Sequence, residues 1–392
     1  MASTESQALK EQPDEPTRDR RPGAHPFGKR EGWVSGLHAT ELLGHVQRGV
    51  LGRNEVDPTA VDQVIGGCVT PVGEQFGNIT RTSWMHAGLP AEAGCTTIDA
   101  QCGTSSQAVQ LMLGQIAVGA VDAGVACGVE VMSRVPLAYK VGTGLGTPRP
   151  ADWSLDTPDQ YTAADRIAVR RGFTRVDLDA FGMRSQQRAR AAWDAGNFDR
   201  QVLPVEVPGE DGPTTVSRDQ GLRDTTMEGL ARLKPVKEGG LHTAGTSSQV
   251  SDGASAALLT STARAAELGL TPRARVLGQA VVGGDVEFML DNPILAARRV
   301  LDRAGVSIAD VDVFEVNEAF ASVPMSFARV LDVDEDRLNI NGGAIALGHP
   351  AGATGIRLLA TAIEELERRD ASLALVAICA SAATTCVLLE RV

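Results

Sequence analysis

Apolar positions recur along the chain at two alternating periods. Residues 37–51 place apolar side chains at helical spacing and predict an amphipathic helix. Residues 61–69 are a short apolar run with glycines inside it and Pro71 just beyond, the pattern of a buried strand. Residues 95–102 are β-branched as far as Ile98 and break at Gly103. From Ser105 to Val118 the period turns helical through Ala108, Leu111, Met112 and Ile116. Cys102 therefore falls where a strand hands over to a helix. Residues 120–131 are small and apolar, as a buried parallel strand requires. Residues 133–250 are richer in charge, proline and irregular loops, with a charged helix at 175–196 and a turn-rich stretch at 209–219. They read as an inserted excursion. Beyond it strands at 254–260, 274–283, 311–316, 372–380 and 385–389 alternate with helices at 293–304, 319–330 and 352–368. Such alternation predicts an α/β fold with sheets covered on both faces. Small-residue handovers at 102–106 and 348–355 fit a duplicated βα unit.

Composition sharpens this picture at the ends. Residues 1–26 are polar, proline-rich and of mixed charge, so they are expected to be disordered, with order beginning between Phe27 and Trp33. The remaining chain is ordinary globular material: 43% of 392 residues are apolar and 22% charged. A net charge of −12 without a basic block argues against nucleic-acid or anionic-membrane partners. No stretch approaches the roughly 20 apolar residues that span a bilayer, and the N-terminus lacks the apolar region of a secretory signal. The six cysteines form no C-x-x-C pair, so neither a zinc site nor a disulfide framework is expected. They read as reduced thiols of a cytoplasmic protein. His38, His45, His86 and His242 have no metal-ligand spacing, and His25 reads as a tail residue.

Four positions carry candidate chemistry. Cys102, at a helix N-terminus, faces unpaired N–H groups and the positive end of the helix dipole. Both favour the thiolate and predict a pKa below about 8.5. His349, between Gly348 and Pro350 in a glycine-rich run, suits a base acting on a thiol. That run is no phosphate loop, because the lysine is missing. Asn317 fits a helix N-cap with Glu318 in the first turn, or alternatively a group that orients water at a reacting carbonyl. Cys379, after an apolar strand, is a candidate proton shuttle to carbon. Cys68, Cys127 and Cys386 read as core, and Gly142 to Gly146 as a loop without dinucleotide context.

Taken in order, these motifs resemble the thiolases. They comprise Cys102, Gly128-Val129-Glu130-Val131-Met132-Ser133, Thr243-Ala244-Gly245-Thr246-Ser247-Ser248, Ser251-Asp252-Gly253-Ala254, Asn317-Glu318-Ala319-Phe320, Asn341-Gly342-Gly343-Ala344 with Gly348-His349-Pro350, and Cys379. Residues 28–44 and 242–252 look most like thiolases of steroid side-chain degradation. The resemblance implies the thiolase fold: two βαβαβαββ halves in a five-layer α-β-α-β-α sandwich. Its N-terminal half would comprise residues 27–132 and 251–273, its inserted loop domain 133–250, and its C-terminal half 274–392. It implies a homodimer or homotetramer, with coenzyme A as co-substrate, no permanently bound cofactor and no metal. Ser248 matches the serine that contacts the pantetheine arm. In the implied reaction Cys102 attacks a 3-ketoacyl-CoA, His349 takes the thiol proton, Cys379 protonates the released enolate, and CoA collects the acyl group. One oxyanion hole would comprise His349 and a water on Asn317, the other the backbone N–H groups of Cys102 and Ser381.

The chain departs from the family pattern at several points. Ser105 stands where the nucleophile segment usually has glycine, and Cys379-Ala380-Ser381-Ala382 replaces Cys-x-Gly-Gly. These changes are expected to crowd the site or restrict the backbone. The usual first strand is not evident before His25, and the His-Met segment of short-chain thiolases is absent near Tyr161. That absence argues against acetoacetyl-CoA as the preferred substrate, and a bulky 3-ketoacyl-CoA is the expected one. The same residues would serve a Claisen-condensing enzyme of secondary metabolism, and a non-catalytic partner subunit would share the fold.

Overall fold

A computed structural model describes residues 23–137, 149–209 and 212–392. The first half comprises β1 (Gly23–Ala24), β2 (Gly28–Lys29), α1 (Ala39–Arg53), β3 (Gln63–Gly67), α2 (Ile79–His86), β4 (Gly94–Ile98), α3 (Thr104–Ala117) and β5 (Ala123–Val131). The excursion then carries α4 (Gln160–Arg171), α5 (Arg175–Asp194), a hairpin of β6 (Val205–Val207) and β7 (Thr214–Val216), and α6 (Met227–Ala231). β8 (Ser251–Thr260) and α7 (Thr262–Glu267) return the chain to the first half. The second half comprises β9 (Ala274–Val282), α8 (Pro293–Ala304), β10 (Val313–Val316), α9 (Ser322–Leu331), α10 (Ala344–Leu347), α11 (Thr354–Arg369), β11 (Leu373–Ile378) and β12 (Thr384–Arg391).

The first sheet runs β1-β8-β5-β3-β4, with β2 also on β8; the second runs β10-β11-β12-β9. β3 is parallel to β4 and β5, while β8 is antiparallel to β5 and β1. In the second sheet β10 and β11 are parallel, and β12 is antiparallel to both β11 and β9. Leu338 extends this sheet past β10 by a single parallel bridge to Phe314. Leu338, β10, β11, β12 and β9 thus repeat the order β4, β3, β5, β8, β1. The duplication is a duplicated topology, with one strand of the second half reduced to a bridge.

Packing follows from which helix faces are apolar. α1 and α2 cover the outside of the first sheet through Leu42, Leu43, Val46 and Trp84. α8 and α9 cover the outside of the second through Ile294, Val300, Val323 and Phe327. α3 and α11 lie between the sheets, where Met112, Ile356 and Leu359 meet Ile65, Val376 and Val387. The result is the five-layer thiolase fold. A helix enclosed on all sides must also bury its polar positions. α11 does so with partners: Arg357 pairs with Asp219 at 2.7 Å, and Thr361 donates to Gln201 at 2.8 Å.

Two expectations at the N-terminus are corrected. The chain is already ordered at Gly23, ahead of Phe27. Gly23 and Ala24 pair with Ala256 and Ser255 and supply the first strand that the local pattern does not reveal. His25 is no tail residue either. It is fully buried, its Nε2–H donates to Leu42 O at 2.9 Å, and its ring stacks on His45 at 4.7 Å. A two-residue strand has no period of its own; its burial comes wholly from tertiary partners, such as Asp219, which accepts the Phe27 N–H at 2.6 Å. The rest of the segment expected to be disordered, 1–22, and the Gly142 to Gly146 loop lie outside the described residues.

Candidate active site

Both strand-to-helix handovers lead to one place. After β4 the chain turns at Gln101, whose φ of 52° lies in the left-handed region. A single 3-10 turn, Gln101–Gly103, then carries Cys102 one step before α3. Gly103 is sterically required, because a Cβ there would lie 2.6 Å from Ala383 O. Ala383 belongs to the turn between β11 and β12 that begins with Cys379. The close approach therefore brings the two cysteines together, and a charge on Cys102 opposes ionisation of Cys379.

The second handover presents His349. Gly348 has a φ of 106°, and a Cβ there would lie 2.5 Å from Ser251 Oγ. That hydroxyl accepts the His349 N–H at 3.1 Å. His349 Nδ1 lies 2.7 Å from Thr354 Oγ1, and Nε2 lies 3.5 Å from Asn317 Nδ2. Asn317 is not a helix cap, since α9 begins at Ser322. Its N–H donates to Ala377 O at 2.9 Å, which anchors it beside β11, and its Oδ1 is buried without a partner. Glu318 turns away, accepting from Ser185 Oγ at 2.6 Å and Asn339 Nδ2 at 3.0 Å.

Cys102, His349, Asn317 and Cys379 are only 8%, 6%, 1% and 0% exposed. Burial sets their protonation. It pushes the Cys102 thiol up to about 12, helped by the Glu130 and Asp99 carboxylates, although the residue's own N–H favours the thiolate. This overturns the expected depressed pKa. A helix terminus contributes about 0.3–1 kcal/mol, less than one pKa unit, whereas full burial moves a thiol by several. Burial also pushes Cys379 well above the ordinary thiol value. It lowers His349 to about 4, so the imidazole is neutral near pH 7 and available as a base.

The remaining sequence-marked positions also find places. Ser381 is half-buried in the β11–β12 turn, and neither Ala380, Ser381 nor Ala382 has positive φ, so the lost glycines leave no backbone strain. Ser105 does not crowd the pocket: its Oγ accepts the Ile356 N–H at 3.2 Å, at the start of α11. Ser248 lies beside the Asn317 segment, its N–H donating to Ala319 O at 2.9 Å. Phe320, in the same segment, stacks edge-on with Tyr161 at 5.0 Å and His242 at 5.4 Å. Among the described residues, no three His, Cys, Asp or Glu side chains converge as a metal site, and no helix is long and apolar enough to cross a membrane.

Three supporting residues receive no role in the sequence reading, although Glu130 and Ser251 lie within its motifs. Thr354 and Ser251 hold the two ends of His349. Glu130 accepts from the N–H groups of Val69, Thr70 and Gly352, joining the first sheet to the lead-in of α11. Their only local signals are the spacing of Thr354 after His349 and an acidic residue inside an apolar strand.

Residues 23–263 match the thiolase N-terminal domain family and residues 270–391 the thiolase C-terminal domain family. This chain belongs to the thiolase family. As a thiolase it is an enzyme of the acyltransferase class. It is 41% identical over 375 residues to a steroid 3-ketoacyl-CoA thiolase of Mycobacterium tuberculosis, covering 93% of this chain and 91% of that one. A 3-ketoacyl-CoA thiolase of Colwellia psychrerythraea is 39% identical over 362 residues, covering 90% and 93%. Human mitochondrial 3-ketoacyl-CoA thiolase superposes with a TM-score of 0.87 at 33% identity, covering 95% of this thiolase and 98% of that chain.

Proposed function

We propose that this thiolase cleaves a bulky 3-ketoacyl-CoA, such as a steroid side-chain thioester, with CoA to acetyl-CoA and a shortened acyl-CoA. The observation that carries this reading is the convergence of two buried thiols, a neutral imidazole and an unsatisfied amide oxygen on two facing handovers. The Cys102 S–H bond breaks as its proton passes to His349 Nε2, and the sulfur pair attacks the 3-keto carbon. The backbone N–H groups of Cys102 and Ser381 receive the resulting oxyanion. Collapse expels the acetyl-CoA enolate, whose oxygen is held by the Nε2–H of His349 and by a water donating to it from Asn317 Oδ1. Cys379 donates its proton to the enolate carbon. The Cys379 thiolate then takes the proton of the CoA thiol, whose sulfur attacks the acyl-Cys102 thioester; collapse expels the Cys102 thiolate, which regains its proton from His349 Nε2, and the kinetics are ping-pong. Every step uses thiol and imidazole chemistry, with CoA as co-substrate and no resident metal or cofactor.

Ser248 and Phe320 suit the pantetheine arm, since the Ser248 backbone lies against the strip that carries Asn317. The steroid-like acyl group is supported by the similarity to the steroid 3-ketoacyl-CoA thiolase of Mycobacterium tuberculosis. We further assign the chain to a homodimer or homotetramer. β4 ends its sheet, and an apolar cleft of about 700 Å³ between α3, β8 and β9 runs beside exposed Leu277. Six free cysteines fit a reducing cytoplasm.

Intact-protein mass spectrometry tests the reaction. Wild type and Cys102→Ala are incubated with acyl-CoAs and with medium-chain, long-chain and steroid 3-ketoacyl-CoAs, with and without CoA. The expected result is a Cys102-dependent acyl adduct that CoA discharges, largest for bulky chains. An adduct that CoA leaves intact would indicate condensation with another acceptor. No adduct with any substrate would overturn the catalytic assignment in favour of a non-catalytic subunit.

A further inference from the structure

The hydrogen bonds around His349 fix more than its position. The Thr354 hydroxyl has one proton, and it donates that proton to Pro350 O at 2.9 Å. Towards His349 Nδ1, at 2.7 Å, it is therefore an acceptor, so Nδ1 carries the ring proton. Nε2 is left with a lone pair. Its neighbour agrees, because Asn317 Nδ2 is a donor. A neutral imidazole in the opposite tautomer would aim its N–H at the thiol and its lone pair at Thr354, and would accept nothing from Cys102.

Thr354 is also the first residue of α11. The residue before it, Ala353, offers no side-chain cap. The early N–H groups of a helix need acceptors, and here Ser105 supplies one from another helix. Its Oγ accepts the N–H of Ile356, the third residue of α11, at 3.2 Å. That is the bond an N-cap side chain ordinarily makes. Ser105 lies in the first turn of α3, three residues after Cys102, and is fully buried. The contact is tight: a Cβ on Gly355 would lie 2.9 Å from Ser105 Oγ and 2.4 Å from Ser106 N. One short path thus links nucleophile to base, from Cys102 through Ser105 and Ile356 to Thr354 and His349.

We infer that Ser105 and Thr354 are positioning residues for the proton transfer: Ser105 pins the start of α11 to the nucleophile helix, and Thr354 holds His349 as the Nδ1–H tautomer with Nε2 open to the Cys102 thiol. This rests on the assignment of Cys102 as nucleophile and His349 as base. The serine that replaces a family glycine is, in this light, a clamp between the two halves of the chain. After transfer Nε2–H forms, the S–H bond is gone, and Nδ1–H still donates to Thr354, which then supports an imidazolium. A charged donor makes the stronger hydrogen bond, so Thr354 raises the basicity of Nε2.

The test compares Thr354→Val, Thr354→Ser, Ser105→Gly, Cys102→Ala and His349→Ala in thiolysis of 3-ketodecanoyl-CoA and of a steroid 3-ketoacyl-CoA. Thr354→Val keeps the shape and removes the acceptor. It is expected to lower kcat roughly ten- to a hundred-fold, a loss in the range of general-base catalysis. KM should stay near wild type, and the acid limb of kcat/KM should move to lower pH. Thr354→Ser should restore both. Ser105→Gly should lower kcat by a smaller factor with the same KM. Wild-type kcat and an unchanged pH profile in Thr354→Val, with Cys102→Ala and His349→Ala inactive, would overturn the positioning role alone. Turnover by Cys102→Ala would overturn the underlying assignment instead. A measurement on wild type stands if Thr354→Val does not fold: two-bond proton–nitrogen spectra of histidine-labelled enzyme should show His349 as the Nδ1–H tautomer. The Nε2–H tautomer would refute the inference.

Discussion

Cys102 illustrates how two effects on one residue compete. Its place at a helix start favours the thiolate, yet burial outweighs that by a wide margin and pushes the thiol up to about 12. Burial therefore favours Cys102 as a thiol, and in the proposed reaction the neutral His349 removes its proton as the substrate carbonyl arrives. Two pH dependences follow. The rate of Cys102 alkylation by iodoacetamide, followed by mass spectrometry, should climb through pH 9 without levelling near 8.5. A plateau below pH 8 would contradict the burial. For kcat/KM, protonation of His349 removes the base, so activity falls as pH drops through the His349 value. With that value lowered to about 4, the acid limb should lie well below 6.5. A limb centred between pH 6 and 7 would sink the assignment of a desolvated base.

Between elements, what matters about a glycine is the space in front of it. Gly103 faces Ala383 O across the joint between the nucleophile turn and the β11–β12 turn. Gly103→Ala must widen that joint, and small misplacements of reacting groups cost on the order of a hundred-fold in rate. We expect kcat to fall by at least about ten-fold in this variant, with retained circular dichroism. Ala382→Gly, by contrast, restores a family glycine where φ is already negative and the side chain is exposed. Its kcat should stay within about two-fold of wild type. Steady-state thiolysis by the two variants checks both statements, and the reverse ranking would show that the family glycine is needed for more than backbone freedom.

For the whole molecule, among the described residues, the five layers leave the β4 edge and an apolar cleft uncovered. β4 ends the first sheet, and Leu277, which lines the cleft, is 38% exposed. An unpaired edge and an exposed apolar surface are each stabilised by being covered. Sedimentation velocity at micromolar concentration should give a dimer or a tetramer of the 41.1 kDa chain. A monomer would refute the assembly. Within one chain, the buried Arg357–Asp219 pair joins α11 to the excursion and, through the Phe27 N–H, to the segment of β1 and β2. That segment and α11 thus share one anchor.

Much of this architecture is local and was readable along the chain. Helical and strand periods mark α1, α3, β5, α8 and α11 because side-chain periodicity is a property of neighbouring residues. The order of Cys102, Asn317, His349 and Cys379 among their motifs is likewise a property of sequence, and it pointed to the family. Other features depend on residues far apart. β1 exists only because β8 offers a partner 233 positions away, at Ala256 for Gly23. The role of Asn317 was undecided between cap and site until β11 and His349 were in place beside it. The protonation of Cys102, the tautomer of His349 and the use of Ser105 as a cap for another helix are decided by tertiary structure alone. Each depends on desolvation or on a hydrogen-bond partner from a distant segment, and neither quantity exists until the chain has folded.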